Sequence, residues 1–286
     1  MYKKLNITIL LILCFINIFG QNNRLYEFQN EDGKYGFINS QGKIIIEPKY
    51  LIVNDFSDGL SFVSKEVIKN DYKWVCIDTL GNEIFDIKDN FPDTNFSEGF
   101  ARIKNFEEHW FINKNGENEF GKTWKDGFQN FKNGVAYVSD IKFKDFYPID
   151  MKGNRIGEQT FSRVEIYNSR KEESKIDSPN LIAFEENGLW GFKSKNGTII
   201  IRPQFYKVDK FENGICGVLT EKQLSEIEND YYLDAIIDEK GNILSKQPMH
   251  CYMGFEGELI RYYLGPHFSG GPHYLNKFGQ KIIPKK

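Results

Sequence analysis

Cysteine is scarce, with four in 286 residues, and one of them, Cys14, sits inside an N-terminal apolar run. The other three, Cys76, Cys216 and Cys251, are an odd number, so they cannot form a complete disulfide framework, and their spacing fits no zinc motif. Cys76 and Cys216 fall inside hydrophobic strand-like runs, where a thiol reads as a small buried apolar group. Nine prolines and 25 glycines exclude a collagen-like or linker composition. Neither sign of charge dominates: 37 basic residues face 40 acidic ones, a net charge of −3, so nothing in the balance points to nucleic acid or an anionic membrane surface. No window shows sustained helical periodicity, and no second long apolar stretch follows the N-terminal one. What is present is 40% hydrophobic and 15% aromatic residues, enough for a substantial core and incompatible with an intrinsically disordered chain.

The N-terminus has the layout of an export signal. Lys3 and Lys4 precede an apolar run from Leu5 to Phe19, and the small residue Gly20 follows. Residues 1–20 are expected to be cleaved near Gly20 or Gln21, which removes two lysines and no acids and shifts the net charge from −3 to −5. The run is shorter than the roughly 20 apolar residues of a spanning helix, so a membrane anchor is the alternative and stable insertion is not expected. Leu13 stands before Cys14, where a lipidated cysteine would follow a small residue.

The chain repeats itself. The stretch Tyr35-Gly36-Phe37 through Ile44-Ile45-Ile46-Glu47-Pro48 returns as Trp190-Gly191-Phe192 through Ile199-Ile200-Ile201-Arg202-Pro203. In the same frame stand the turn glycines Gly42, Gly81, Gly116, Gly153, Gly197, Gly241 and Gly279, at intervals of 39, 35, 37, 44, 44 and 38 residues. Three positions before each glycine stands Asn39, Asp78, Asn113, Asp150, Asp238 or Asn276, with Ser194 the one departure. Such a side chain accepts a hydrogen bond from the backbone two residues on, and glycine supplies the positive φ that closes the turn. A second block, Phe56-Ser57-Asp58-Gly59-Leu60 and its counterparts at Phe96, Phe131 and Phe211, leads into a further strand-prone run. Each copy therefore reads as strand, tight turn, strand, bend and strand. Pro48, Pro203 and Pro284 stop the second strand. The stretch from Glu172 to Pro179 reads as a charged surface loop in the most degraded copy, and Thr220 to Tyr232 as a charged excursion.

These motifs resemble the WG-repeat family, also called KWG repeats, whose units carry an aromatic-glycine pair, an alternating strand, an Asp-x-x-Gly turn and a later Phe-x-x-Gly block. The resemblance covers residues 24–284 and is strongest in the first and fifth copies. Only Tyr35-Gly36 and Trp190-Gly191 keep the pair, while Trp74-Val75, His109-Trp110, Phe146-Tyr147 and Asp234-Ala235 depart from it. The resemblance implies a bacterial repeat scaffold and brings no common activity or catalytic residue.

Candidate chemistry is sparse. No phosphate-cradling glycine loop, serine nucleophile elbow or His-Glu-x-x-His occurs, so no catalytic residue, metal or cofactor is assigned. His250, His267 and His273 lie in the last forty residues, the latter two in echoing Gly-Pro-His triplets that read as a connector. Trp74 and Trp190 occupy the aromatic slot that Tyr35 fills, whereas Trp124 belongs to no repeat position and sits among polar residues. Trp124, with the Tyr262–Tyr274 connector that carries His267 and His273, is therefore where ligand contact is expected, on an exposed surface. The expected molecule is a signal peptide over residues 1–20 and one all-β domain over 21–286, built from about seven repeats. Tandem β-hairpin repeats in an open, curved, solenoid-like stack are expected, with a closed propeller-like toroid as the alternative. The expected role is an exported noncatalytic scaffold in the periplasm, at the cell surface or outside, binding a protein, peptide or cell-envelope glycan. An envelope-polysaccharide enzyme and a purely structural spacer are the alternatives.

Overall fold

The structure is a computed structural model that describes residues 24–68, 71–173, 181–222, 232–265, 268 and 270–286. The expected signal peptide and His267 lie outside the described residues, as does most of the Thr220 to Tyr232 excursion.

Short apolar runs separated by turn residues fold into seven antiparallel sheets of three or four strands, none closed into a barrel. Sheet 1 comprises Tyr26–Gln29, Tyr35–Ile38 and Ile44–Tyr50; sheet 2, Ile52–Val53, Leu60–Ile68, Asp71–Asp78 and Glu83–Asp86; sheet 3, Phe91–Pro92, Ala101–Lys104 and His109–Ile112. Sheet 4 comprises Asp126–Lys132, Val135–Ser139 and Tyr147–Ile149; sheet 5, Leu181–Glu186, Leu189–Ser194 and Ile199–Phe205. Sheet 6 is formed by Lys207–Val208, Ile215–Leu219, Leu233–Asp238 and Ile243–Met249, and sheet 7 by Cys251–Glu256, Leu259–Tyr263, His273–Leu275 and Lys281–Ile282. Each sheet is one copy of the repeat, so the fold is the all-β stack of tandem hairpins.

Two kinds of turn set the frame. The seven turn glycines hold φ between 74° and 90°. In sheet 2 the Asp78 carboxylate accepts from the amides of Leu80 and Asn82, both at 2.9 Å. The same pair of bonds recurs at Asn39, Asn113, Asp150, Asp238 and Asn276. Ser194 is too short for this, and Asn196 two residues on takes over, accepting from Thr198 at 3.2 Å. The Phe-x-x-Gly blocks are not bends but two-residue hairpins. Asp58 and Gly59, Glu98 and Gly99, Asn133 and Gly134, and Asn213 and Gly214 all have positive φ, the geometry of a type I′ turn, whose twist matches that of the flanking strands.

The glycine of the aromatic-glycine pair has a different reason. A Cβ on Gly36 would stand 2.5 Å from the Ile46 carbonyl oxygen and 2.8 Å from the Pro48 nitrogen, and one on Gly191 would meet Ile201 and Pro203 at 2.5 and 2.6 Å. In both sheets the register shifts opposite this glycine. Pro48 and Pro203 lie in the shifted segment, where no amide hydrogen is missed. Copies without the proline need no glycine there.

Neighbouring sheets share cores. Leu25, Phe37, Ile46 and Tyr50 of sheet 1 pack with Val63 and Ile77 of sheet 2, and further clusters join sheets 2 and 3, 3 and 4, 5 and 6, and 6 and 7. A sixth cluster joins sheet 7 to sheet 1 through Leu259, Tyr274, Tyr26, Phe28 and Ile38. The C-terminal segment adds backbone bonds there, Ile44 N–H to the Lys285 oxygen and Lys285 N–H to the Gly42 oxygen, both 2.8 Å. Among the described residues no core cluster joins sheets 4 and 5. Among the described residues the series of shared cores is thus 5-6-7-1-2-3-4, with the first and last described strands in its middle.

The turn glycines follow the same series. Gly81, Gly116, Gly153 and Gly241 are roofed by Ile46, Phe85, Phe120 and Ile201 of the preceding sheet, and Gly279 and Gly42 by the strand backbone at Leu244 and Ile283. Over Gly197 nothing described lies within 4 Å. The residue four beyond each of the first three turn glycines is Ile46, Phe85 or Phe120, but four beyond Gly153 it is Gly157. Sheet 4 therefore has no side chain at that position.

A helix, α1 (Arg163–Glu173), follows sheet 4 and corrects the reading that no segment is helical; of the expected loop from Glu172 to Pro179 only Glu172 and Glu173 are described, at the end of α1, and residues 174–179 lie outside the described residues. Ser162 and Glu165 make a capping box: Ser162 N–H and Oγ bond to Glu165 Oε2 at 2.7 Å, and Glu165 N–H returns to Ser162 Oγ at 3.3 Å. Ile166 is buried, and the Arg163 guanidinium lies 5.3–5.4 Å from the rings of Phe128, Phe143 and Phe146, so α1 packs against sheet 4 through these two side chains.

The two kinds of constraint on a turn glycine are separable. Gly197→Ala should cost only the left-handed backbone penalty of about 1–2 kcal/mol, whereas Gly42→Ala adds a clash with the Ile283 oxygen at 2.5 Å and should cost clearly more. Urea unfolding of the two variants measures the difference; equal losses would mean that the C-terminal segment does not seat on Gly42.

Candidate functional site

The residues expected to contact a ligand are not brought together. Trp124 is 5% exposed and belongs to the core between sheets 3 and 4, packed edge-to-face on Phe111 and Phe120. Its expected exposure is therefore corrected. The Trp124 main chain closes the end of sheet 3 by exchanging two backbone bonds with His109, both at 2.8 Å. Only its indole N–H meets a polar group, the Tyr147 hydroxyl at 3.2 Å. The Tyr262–Tyr274 stretch divides: Tyr262, Tyr263 and Tyr274 at its ends are buried strand residues, while Leu264 and Phe268 between them are 43% and 51% exposed. His273 lies in sheet 7 with its ring 5.5 Å from that of Tyr262, and burial together with Lys281 lowers its pKa. Among the described residues no group of three His, Cys, Asp or Glu side chains is arranged to hold a metal ion. Cys76, Cys216 and Cys251 are free and buried, and burial pushes the Cys76 thiol up to about 12, far from a nucleophile's range.

Two interior charge clusters were not foreseen. At the junction of sheets 7, 1 and 2, Arg261 bonds Asp55 and Glu256 at 2.6 Å each, lies 3.6 Å from Glu27 and reaches the Tyr274 hydroxyl at 3.3 Å. Arg24 bonds the other oxygen of Glu256 at 2.6 Å. Burial works against the charge of Arg261, but Tyr274, Asp55 and Glu27 outweigh it and hold the guanidinium above its ordinary value. Glu27 is the group left short: burial raises its pKa to about 7, Arg261 opposing and Asp55 and Glu256 adding to the rise.

The second cluster joins sheets 3 and 4 and α1. Asp93 accepts from Arg102 and Lys104 at 2.7 Å each and lies 3.2 Å from His109 Nδ1, while Asp126 binds Arg163 at 2.8 Å. Burial alone would raise Asp93; His109, Arg102 and Lys104 outweigh it and hold the carboxyl well below its usual range. Gly127 makes room, since a Cβ there would stand 2.7 Å from the Arg102 side chain. His109 Nε2 lies 3.9 Å from Asp126, so the imidazole stands between the two carboxylates. Both clusters hold sheets together.

The exposed polar and aromatic groups converge elsewhere, in a groove of about 410 Å³ where sheets 2 and 3 meet. Phe106 is 82% exposed at a turn tip, its ring 5.7 Å from Phe91 and edge-on to it. The turn is built by Asn105, whose side chain accepts from the amides of Glu107 and Glu108 at 2.9 and 2.8 Å, and is tied down by Lys142 Nζ on the Phe106 oxygen at 3.2 Å. Tyr72, 42% exposed, and Lys73 line the groove as well. Asp86, Asp89 and Asp71 complete it; Asp86 accepts from the Lys88 amide at 3.2 Å, and the carboxylates of Asp71 and Asp89 have no partner among the described residues. A larger hollow of about 810 Å³ borders Ser40, Asn213, Asn276 and Phe278, but there Asn276 is already bonded within its own turn.

The fold and these surfaces define a tandem β-hairpin repeat protein. Residues 35–66 and 190–222 match the family model of the WG containing repeat, so the chain carries WG-type repeats in sheets 1 and 5 and their continuations. Comparison with curated proteins finds no match. Among solved structures the chain is similar to BamB from Moraxella catarrhalis, at 8% identity over 85% of this chain and 80% of that one, with a TM-score of 0.33. It is also similar to Hsv2 of Kluyvelomyces marxianus, at 10% identity over 93% and 100%, TM-score 0.35. A third is the dihydro-heme d1 dehydrogenase NirN in complex with DHE, at 12% identity over 92% and 55%, TM-score 0.34.

The Glu27 cluster fixes a pH response. Its carboxyl titrates near 7 in the folded chain and near 4.5 when unfolded, so between these values the folded state holds the extra proton and stability falls as pH rises. The contribution is up to about 3 kcal/mol, and Glu27→Gln should abolish this part of the fall in urea midpoints measured from pH 5 to pH 8. An unchanged slope in the variant would mean Glu27 is ionised throughout.

Proposed function

We propose that this protein is an exported, noncatalytic repeat scaffold that binds a cell-envelope glycan in the groove between sheets 2 and 3. The observation that carries the reading is the pairing of Phe106, 82% exposed, with the carboxylates of Asp71 and Asp89, which have no partner among the described residues. An aromatic face takes the C–H side of a sugar ring, and carboxylates accept its hydroxyl hydrogens. The interior clusters are the alternative seat of chemistry, but their acids are spent on Arg261, Arg102 and Arg163. Export rests on the N-terminal signal layout, with the 24–286 region as a single binding domain.

Binding of oligosaccharides released from cell-envelope polymers, followed by calorimetry, tests this. Phe106→Ala and Asp89→Asn should each weaken binding about tenfold, with the melting temperature unchanged because both groups are exposed. Binding that is indifferent to both substitutions, or cleavage of the oligosaccharide, would overturn the reading.

A further inference from the structure

Two consecutive sheets present an aromatic ring at the same place. The loop between Ala101–Lys104 and His109–Ile112 of sheet 3 carries Phe106, and the loop between the matching strands of sheet 4, Val135–Ser139 and Tyr147–Ile149, carries Phe143, 73% exposed. A lone exposed phenylalanine needs no explanation, but Phe143 is held out against its own backbone preference. Its φ is 68°, in the left-handed region that a bulky side chain rarely enters, and Asp145 two residues on is there as well, at 55°. Interior polar groups enforce this shape. The buried carboxylate of Asp126 accepts from the Phe143 amide at 2.9 Å. Ser139 Oγ, also buried, accepts from the Ile141 amide at 3.0 Å and shares its hydrogen between the carbonyl oxygens of Ile141 and Lys144. Two further contacts fix the ring relative to Phe106: the Arg163 guanidinium lies 5.3 Å from the centre of the Phe143 ring, and Lys142 Nζ donates to the Phe106 carbonyl at 3.2 Å.

We propose that the glycan of the groove is a polymer that continues past Phe106 and lays a further sugar ring on Phe143, a second subsite in sheet 4. This rests on the reading of the Phe106 groove as a glycan site. Stacking on the C–H face of a sugar is favoured by a ring that need not be ordered on binding, and both rings meet that condition: Phe106 leans on Phe91, and Phe143 on Arg163. Phe143 does not line the groove, so a compact ligand there leaves the strained backbone, the two buried polar side chains and the lysine brace without a use. A chain long enough to cross the Lys142 brace meets both rings in one binding event, and the second contact, being intramolecular, raises affinity without a second association step. Of the loop neighbours of Phe143 only Ile141 is apolar, while Asp140, Lys142, Lys144 and Asp145 are exposed. The apolar surface therefore comes as separate rings set among hydrogen-bonding groups, which suits a row of sugars better than the continuous apolar core of a protein interface.

Oligosaccharides released from cell-envelope polymers and fractionated by length are the probe, titrated calorimetrically into the full chain. Affinity is expected to rise with length to a plateau. Phe143→Ala should lower the affinity of the longest fraction at least tenfold and leave the shortest binding fraction unchanged, whereas Phe106→Ala weakens every fraction. Phe143→Gly is the control for folding: it relieves the left-handed φ, so the melting temperature should hold or rise while the affinity for long fractions falls as in the alanine variant. Affinity independent of length, or long fractions indifferent to Phe143→Ala, overturns the second subsite and leaves the groove reading standing where Phe106→Ala still acts. A loss that is equal for short and long fractions overturns it too, since the loop would then act by shaping the groove. Absence of binding by any fraction, or binding that ignores Phe106→Ala throughout, overturns the groove reading and the subsite with it.

Discussion

A strand laid over the turn glycine of the next sheet is the contact on which this architecture depends. A single three-stranded sheet buries too little apolar surface to be stable. Here the turn of each sheet ends in a glycine whose missing Cβ leaves a slot, and an isoleucine or phenylalanine of the preceding sheet fills it at Gly81, Gly116, Gly153 and Gly241. The Asx bonds hold each slot in shape, and the shared cores lie beneath them. Glycine serves twice, through its positive φ and through the space it leaves.

Charge is handled by the same logic of seams. Arg261 and Arg102 lie inside the molecule, each at a junction of sheets: Arg261 gathers Glu27, Asp55 and Glu256, and Arg102 pairs with Asp93 and donates to the Gln129 oxygen of sheet 4. A buried guanidinium without such partners would cost several kcal/mol, so these clusters select the correct neighbour more than they add stability. Aspartate and glutamate at hairpin tips act similarly on the surface: Asp58 accepts from the Gly99 amide, and Glu98 from the amides of Asn133 and Gly134.

Much of the fold was legible because turn chemistry is local. Gly42 and Asn39 announce their turn from four residues, and the recurrence at fixed spacing counts the sheets. The helix was missed although Ser162 and Glu165 stand at capping-box spacing, because α1 buries little beyond Ile166 and so shows no apolar period. The position four beyond the glycine holds Ile46, Phe85, Phe120, Ile201 and Ile283 but Gly157 and Ser245 in two copies, and since Gly279 is covered by the Leu244 backbone all the same, that position alone does not give the order of the sheets. Trp124 misled because exposure was inferred from polar neighbours in sequence, whereas its bridge partner His109 and the cluster it packs in, with Phe111, Phe131 and Val138, come from more distant positions. The groove at Phe106 left no signal beyond a lone aromatic in a turn, and its carboxylates were hidden among the many acids of a charged surface.

The central claim is that the chain ends meet in the middle of the stack, with sheet 7 seated on sheet 1. Thermal unfolding of a chain ending at Gln280, beside the full chain, tests it most directly. Removing six residues strips the cover from Gly42 and part of the core around Tyr26 and Ile38. A loss of about 2–5 kcal/mol is expected, lowering the melting temperature by roughly 5–15 °C. An unchanged melting temperature would show that the last strand is an ornament and that the stack does not run through its own termini.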